Sequence, residues 1–450
     1  MSNVMRHLKS VILFRPMLSL ARERSMRTLH FAPLPTTCMV DETLHIRVRG
    51  VQRGDRIHLR LSNAGAPGSM WQSEATFLAE GDELDLSREA PVSGSYQGVD
   101  AMGLFWSRAA TPRVDGEVAD DPMTVTLMAA IAGEKAGTSH RVRRSFRGEA
   151  VRQSEVCDDG VVARLFEPEG LGPHPAVVVV GGSGGGLQWS SETAALLASR
   201  GFVALAVAYF GLPGLPATLD RIPIEYFGRG LRFLQEHPSV DAQRIGIVGV
   251  SRGGELALLL AATYPAFRAV VGYVPSGVLW SGFPSTGHSA WTWNGRELPV
   301  ADSMPHEEYV RLLAETGVRD DTPAAFELCL RNSVTVEAAE IRVERINGPV
   351  MIVTGKADGL WPCERLSAIA IDRLRASKFA HRVEHHSYPG AGHGIGWPNV
   401  ITTVTRFKHP VSGDEMDLGG LPAATAQASS DSWPRMLAFL RESLGQAARG

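Results

Sequence analysis

Arg244-Ile245-Gly246-Ile247-Val248-Gly249-Val250-Ser251-Arg252-Gly253-Gly254-Glu255-Leu256-Ala257 is the stretch that decides how this chain folds. An apolar strand runs into Gly-x-Ser-x-Gly, and a helix-forming run rich in Leu and Ala follows at once. Gly249 and Gly253 flank Ser251 where a strand must reverse sharply into a helix, and a side chain at either position would crowd that turn. Such a turn holds a serine hydroxyl proud of a sheet edge. The helix N-terminus beneath it offers unpaired N–H groups and a positive dipole to an oxyanion. Gly-x-Ser-x-Gly alone recurs by chance in a chain with 47 glycines, so the flanking strand and helix carry the weight. We read Ser251 as a nucleophile.

Working outward, residues from about 151 onward show compact apolar strands at 161–166, 176–180, 202–208, 245–250, 269–274 and 350–354. Helix-like stretches at 192–200, 223–236 and 255–263 separate most of them. Strands apolar on both faces that alternate with helices imply a mostly parallel, doubly wound α/β sheet covered on each side. The segment 275–347 interrupts the alternation and is expected to cross the C-terminal edge of the sheet as a cap-like insertion. The stretch 399–432 reads as loop before a final helix at 434–444.

The rhythm before residue 150 differs. In Leu44-His45-Ile46-Arg47-Val48 and Ile57-His58-Leu59-Arg60-Leu61, apolar and polar residues alternate with period two, as in a strand with one wet face. Strands at 43–48, 56–61, 70–77 and 123–131, with turn signals such as Arg53-Gly54-Asp55 between them, argue an all-β sandwich over 31–150. The expected division is therefore an extension over 1–30, a sandwich over 31–150 and the α/β part over 151–450.

Composition narrows the function. In 450 residues, 44% are hydrophobic and 21% charged, and the formal charge of −3 gives no electrostatic case for nucleic acid or an anionic membrane. No apolar run reaches the length of a membrane span. Cys38, Cys157, Cys329 and Cys363 are scattered, which suits reduced thiols in a cytosol better than disulfides or a zinc site. Residues 1–25 carry Arg6, Lys9, Arg15 and Arg22 with no acid before Glu23, a composition like a mitochondrial presequence. We expect a cytoplasmic protein with a dispensable extension, mitochondrial targeting being the alternative. Nothing in the sequence speaks to oligomeric state.

A serine nucleophile needs a base, and the base an orienting acid. In such a sheet they follow in the order serine, acid, histidine, each just past a strand. Val350-Met351-Ile352-Val353-Thr354-Gly355 ends in a loop carrying Asp358, whereas Asp302, Asp320 and Asp321 follow no convincing strand. A strand at 383–388 leads into Pro389-Gly390-Ala391-Gly392-His393-Gly394, whose glycines let a tight loop swing the His393 imidazole over the sheet edge. His385 and His386 lie within that strand, where one is expected buried and the other solvated. The oxyanion needs two N–H donors, one from Arg252 immediately after the nucleophile. The other should come from Gly181-Gly182-Ser183-Gly184-Gly185-Gly186, where we place Ser183 or Gly184. A nucleotide loop is the weaker reading of this run, because no Gly-Lys-Ser/Thr follows. The Arg252 side chain is open between a rim salt bridge, a substrate contact and plain solvation.

Gly249-Val250-Ser251-Arg252-Gly253-Gly254-Glu255-Leu256, Asp358-Gly359-Leu360-Trp361-Pro362 and Tyr388-Pro389-Gly390-Ala391-Gly392-His393 resemble the acyl-CoA thioesterase/bile acid-CoA:amino acid N-acyltransferase family. More specific are Trp71-Gln72-Ser73 and the run from Pro91-Val92-Ser93-Gly94-Ser95-Tyr96-Gln97-Gly98 to Phe105-Trp106-Ser107, which look like that family's N-terminal β-sandwich. The resemblance covers most of the chain. It implies an immunoglobulin-like sandwich followed by an α/β-hydrolase fold, with Ser251, Asp358 and His393 as nucleophile, acid and base. It also implies acyl thioesters of coenzyme A as substrates, with no cofactor beyond the coenzyme A they carry. The amino-acid-conjugating branch has cysteine where this chain has Ser251. A serine ester survives to meet water, so the expectation is hydrolysis, with acyl transfer to an amine or alcohol as the alternative. Trp280, Trp291, Trp293, Trp361 and Trp397 are expected to line an acyl pocket.

Overall fold

The computed structural model describes residues 28–113, 121–134, 136–320 and 322–445. The expectations for residues 1–27, Asp321 and the last five residues lie outside them.

Strand alternation in the first part of the chain does what the pattern demands. Along Arg56–Ala64 the residues Ile57, Leu59 and Leu61 are fully buried while their neighbours are half-exposed. This strand sits between Thr124–Ile131 and Ser69–Leu78 in a seven-stranded sheet. A smaller sheet of His30–Phe31, Arg47–Arg49 and Glu83–Asp85 faces it, so that Val48 and Leu84 share one core with Leu59, Phe77 and Leu127. The strand expected over 43–48 shrinks to Arg47–Arg49. Gly137–Ser145, whose arginines masked its period, is a strand the sequence reading missed.

The second part is built on eight strands. These are β1 Arg152–Asp158, β2 Val161–Glu167, β3 His174–Val180, β4 Val203–Ala208, β5 Val240–Val250, β6 Phe267–Tyr273, β7 Val350–Gly355 and β8 Val383–Tyr388. Their order across the sheet is 1-2-4-3-5-6-7-8, and β2 runs opposite to the other seven. This is the α/β-hydrolase arrangement expected from the sequence. Period-two burial splits the strands between two faces. Val178, Leu205, Ile247 and Ile352 enter one core, and Val177, Val179, Val248 and Val353 the other. Both cores are covered by helices, which is why the strands read as unbroken apolar runs.

Between β6 and β7 the segment 275–347 holds two short strands, Trp291–Trp293 and Arg296–Glu297, and the helices His306–Thr316, Pro323–Cys329 and Ser333–Ala339. Its strands join Ile222–Pro223 in a small sheet. The stretch read as loop before a helix at 434–444 is different. It contains a hairpin, Arg406–Lys408 with Glu415–Asp417, and the last helix starts twelve residues earlier, as Pro422–Ser443 with Pro434 inside it. Its first turns bury Thr425, Ala426, Ala428, Ser429 and Ser432. Small and polar residues pack where no bulky side chain fits, so hydrophobic periodicity gave no signal there.

The two parts touch through Asp41. Its carboxylate accepts from Arg200 at 2.7 Å and from Trp433 Nε1 at 3.1 Å. All four cysteines are free. Among the described residues no helix is long and apolar enough to cross a membrane.

Candidate active site

Strand register brings the site to one edge. Gly249 pairs with Val180, Val250 with Tyr273, Tyr273 with Val353, and Gly355 with Tyr388. Ser251, Asp358 and His393 therefore leave the sheet at one level, from β5, β7 and β8. Three strand spacings of about 4.8 Å separate β5 from β8, so the loops after β7 and β8 must lean back over the sheet to meet the serine.

The turn at Ser251 is as tight as the glycines imply. Ser251 has φ +58°, a left-handed conformation that costs a non-glycine residue of order 1–3 kcal/mol. A hydrogen bond from its N–H to Tyr273 O at 2.8 Å helps to hold it there. A Cβ on Gly249 would stand 1.9 Å from Gly253 O, and one on Gly253 would stand 2.2 Å from Gly181 O. The helix Arg252–Thr263 can thus press against both its own strand and the end of β3. The Gly254 and Glu255 N–H groups return to Ser251 O, whereas the Arg252 N–H is the first of the helix and has no intrahelical acceptor.

Asp358 is buried and fully engaged. Its Oδ1 accepts from the Leu360 and Trp361 N–H groups at 2.9 and 3.2 Å, and its Oδ2 lies 2.7 Å from His393 Nδ1. A carboxylate can only accept, so Nδ1 carries the proton and Nε2 presents its lone pair. His393 N–H donates to Leu418 O at 2.8 Å, which fixes the loop from the main chain. Ser251 Oγ and the His393 ring are not hydrogen-bonded to each other. Such contacts often tighten only around a substrate.

The rival groups are occupied elsewhere. Asp302 accepts from Ser281 and Asp320 from Tyr309. His385 and His386 are both half-buried, not one buried and one solvated, because β8 is an edge strand. Each leans on polar neighbours, His385 on Thr354 at 2.8 Å and His386 on Glu384 at 3.0 Å.

The glycine loop after β3 comes close to the serine at Gly182. A Cβ on Gly182 would lie 3.2 Å from Ser251 Cβ, whereas Ser183 Oγ turns to His409 at 3.1 Å and Gly184 faces Pro410. The Arg252 side chain is neither solvated nor at a rim. It is buried, donates to Trp280 O and Ser281 O at 3.0 Å each, and pairs with Glu255 at 3.2 Å.

The five tryptophans meet different neighbours, although Trp280 and Trp361 both pack on Phe326. Trp361 abuts the set, its ring 6.2 Å from that of His393, and its N–H is bound to Val274 O. Trp291 is fully buried and donates to Glu255 at 2.7 Å. Trp280 packs on Phe326, Trp293 on Tyr264, and Trp397 on Trp189 and Phe146. A cavity of about 600 Å³ opens behind the acid loop, lined by Lys356, Asp358, Cys363, Glu364 and His385 among others, but Ser251 does not line it.

Comparison with known proteins agrees with this architecture. Residues 41–158 match the acyl-CoA thioester hydrolase/BAAT N-terminal region, and residues 222–446 match the BAAT/acyl-CoA thioester hydrolase C-terminal region. A peroxisomal succinyl-coenzyme A thioesterase of Mus musculus is 30% identical over 93% of this chain and 97% of its own. The chain belongs to the acyl-CoA thioester hydrolase/BAAT family. Further members are acyl-coenzyme A thioesterase 1 of Rattus norvegicus, 28% identical over 94% of this chain and 98% of its own, and acyl-coenzyme A amino acid N-acyltransferase 1 of Mus musculus, 28% identical over 92% and 97%.

Two buried groups of this family member escaped the sequence reading. Glu255 passed as an ordinary helix former, yet it is fully buried, and burial pushes its carboxyl up to about 7 against the opposing pull of Arg252 and the Trp291 N–H. The Arg252/Glu255 spacing of three was the available signal. His409 passed as loop. Nothing local marked it, since its partner Ser183 is more than two hundred residues away.

Proposed function

We propose that the chain hydrolyses acyl-CoA thioesters to free acid and coenzyme A through an acyl-enzyme on Ser251. His393, oriented by Asp358, takes the Ser251 proton as the hydroxyl oxygen attacks the thioester carbonyl. The tetrahedral oxyanion is met by the Arg252 N–H and by an N–H of the 181–186 loop. Loss of one such donor typically raises the barrier by about 3–4 kcal/mol. Collapse of the intermediate breaks the C–S bond, and His393 gives its proton to the departing thiolate. His393 then takes a proton from water, the hydroxide attacks the serine ester, and the acid leaves as Ser251 recovers its proton.

The observation that carries this reading is the buried Asp358–His393 contact at the sheet edge where Ser251 sits strained on its turn, in a chain of this family. The test is thiol release from a panel of acyl-CoA esters, short-chain to bulky aromatic, by the full chain and by Ser251→Ala. Release that collapses in the variant, with an acyl mass trapped on Ser251 of the unsubstituted chain and none on the variant, is the expected result. Full turnover by Ser251→Ala overturns it.

A second reading is acyl transfer to an amine or alcohol, favoured by the relative named as an amino acid N-acyltransferase. Mass analysis of products with and without candidate acceptors separates the two, because hydrolysis gives the free acid whether or not an acceptor is present.

A further inference from the structure

The hairpin of 405–419 is rooted on two of the loops already described and reaches a third. At its root, Leu418 O accepts the N–H groups of Gly359 at 3.1 Å and of His393 at 2.8 Å, and Gly419 bridges to Asp358. Beyond the first strand, His409 is buried, and its Nε2 stands 3.1 Å from Ser183 Oγ in the loop after β3. Pro410 follows it against Gly184.

The ring's own contacts fix its tautomer. Nδ1 lies 3.2 Å from the Val411 N and 3.4 Å from the Ser412 N, both donors. A nitrogen that accepts carries no proton, so the neutral ring bears its proton on Nε2 and donates it to Ser183 Oγ. Phe283 and Phe407 pack around the imidazole at 4.7 and 6.1 Å between ring centroids. At the start of the loop Tyr209 OH donates to Gly181 O at 2.6 Å. The loop that abuts Ser251 through Gly182 is gripped at two points, by Tyr209 at its start and His409 at its middle.

We propose that His409 is a positioning residue, which holds the 181–186 loop at Ser183 so that one of its main-chain N–H groups meets the oxyanion. Its hairpin ties that loop to the loops of Asp358 and His393, so the three parts of the site keep a common geometry. The proposal rests on the reading of Ser251 as nucleophile. Its energetic logic is that of any oxyanion donor: the N–H must be in place before charge develops, because reorganising it during the reaction forfeits the gain.

Two substitutions divide the ring's two contacts. His409→Asn places an amide oxygen near the Nδ1 position and keeps the hairpin bonds, but it cannot reach Ser183. His409→Gln places an N–H near the Nε2 position and keeps the Ser183 bond. In the full chain, with an acyl-CoA ester and thiol release as readout, His409→Asn is expected to lower kcat roughly 10- to 100-fold with KM changed less than about threefold. His409→Gln is expected to recover most of kcat. Ser183→Ala should match His409→Asn, and the double variant Ser183→Ala/His409→Asn should lose no more than either alone. The proposal fails if Asn and Gln are equally poor, if Ser183→Ala keeps wild-type kcat, if the double variant's losses multiply, or if kcat merely tracks the denaturation midpoint. Turnover that survives Ser251→Ala would instead remove the reading beneath it.

Discussion

His393 Nδ1 and Asp358 Oδ2 lie 2.7 Å apart with both side chains buried, and this contact decides which ring nitrogen is left to act. An amide in place of the carboxylate can turn its NH2 group to Nδ1, which would then have to accept and put the ring proton on the wrong side. Asp358→Asn is therefore expected to lower kcat by about 10³- to 10⁴-fold with the fold intact. Steady-state thiol release beside circular dichroism checks it, and a loss under tenfold would deny Asp358 that part.

Gly253 has no room for a methyl group. Gly181 O and Val180 O would lie 2.2 and 2.6 Å from an added Cβ, and both are main-chain atoms that cannot rotate away. Gly253→Ala should cost about 3 kcal/mol of stability and remove most of the turnover, because the helix must back away from β3. A guanidinium titration reads the first effect; an unmoved midpoint would show that the turn has slack.

Glu255 makes stability depend on pH in a predictable direction. Its folded value, about 7, exceeds the ordinary 4.5, so between those limits the folded state holds the proton more tightly than the unfolded chain. The stabilisation from this group is complete below pH 4.5 and is lost as pH rises through 7. Glu255→Gln lacks that loss, so its melting temperature should improve relative to wild type from pH 4.5 to 8. Parallel curves for the two proteins across that range would contradict the assignment.

Asp41 anchors one part of the chain to the other through a nearly inaccessible carboxylate. Asp41→Ala strips Arg200 and Trp433 of an acceptor and should cost about 2–3 kcal/mol, tempered because Glu42 also stands 3.7 Å from Arg200. Adding Arg200→Met should restore part of the loss, since no unpaired guanidinium remains. Urea unfolding of the single and double variants decides it, and a double variant worse than Asp41→Ala would refute the account.

What could be read from the sequence followed from how local each signal was. β3, β4 and β7 are apolar on both faces and announced themselves, and the Asp358–His393 contact was legible because each residue follows such a strand or a glycine-rich turn. β1 went unnoticed because it is an edge strand with most residues exposed. The Arg252 side chain, Glu255 and His409 were misjudged or missed for one reason. Their environment is set by the 275–302 crossing and the 405–419 hairpin, which carry too few apolar repeats to be placed from a single chain.

The last helix also closes the first part of the molecule. Ala426 belongs to the buried cluster of the N-terminal sheets, and Trp433 reaches Asp41. During synthesis the sandwich therefore lacks part of its covering until the helix Pro422–Ser443 has been made. A nascent chain stopped short of the last helix would present an unfinished hydrophobic surface to whatever chaperones attend it.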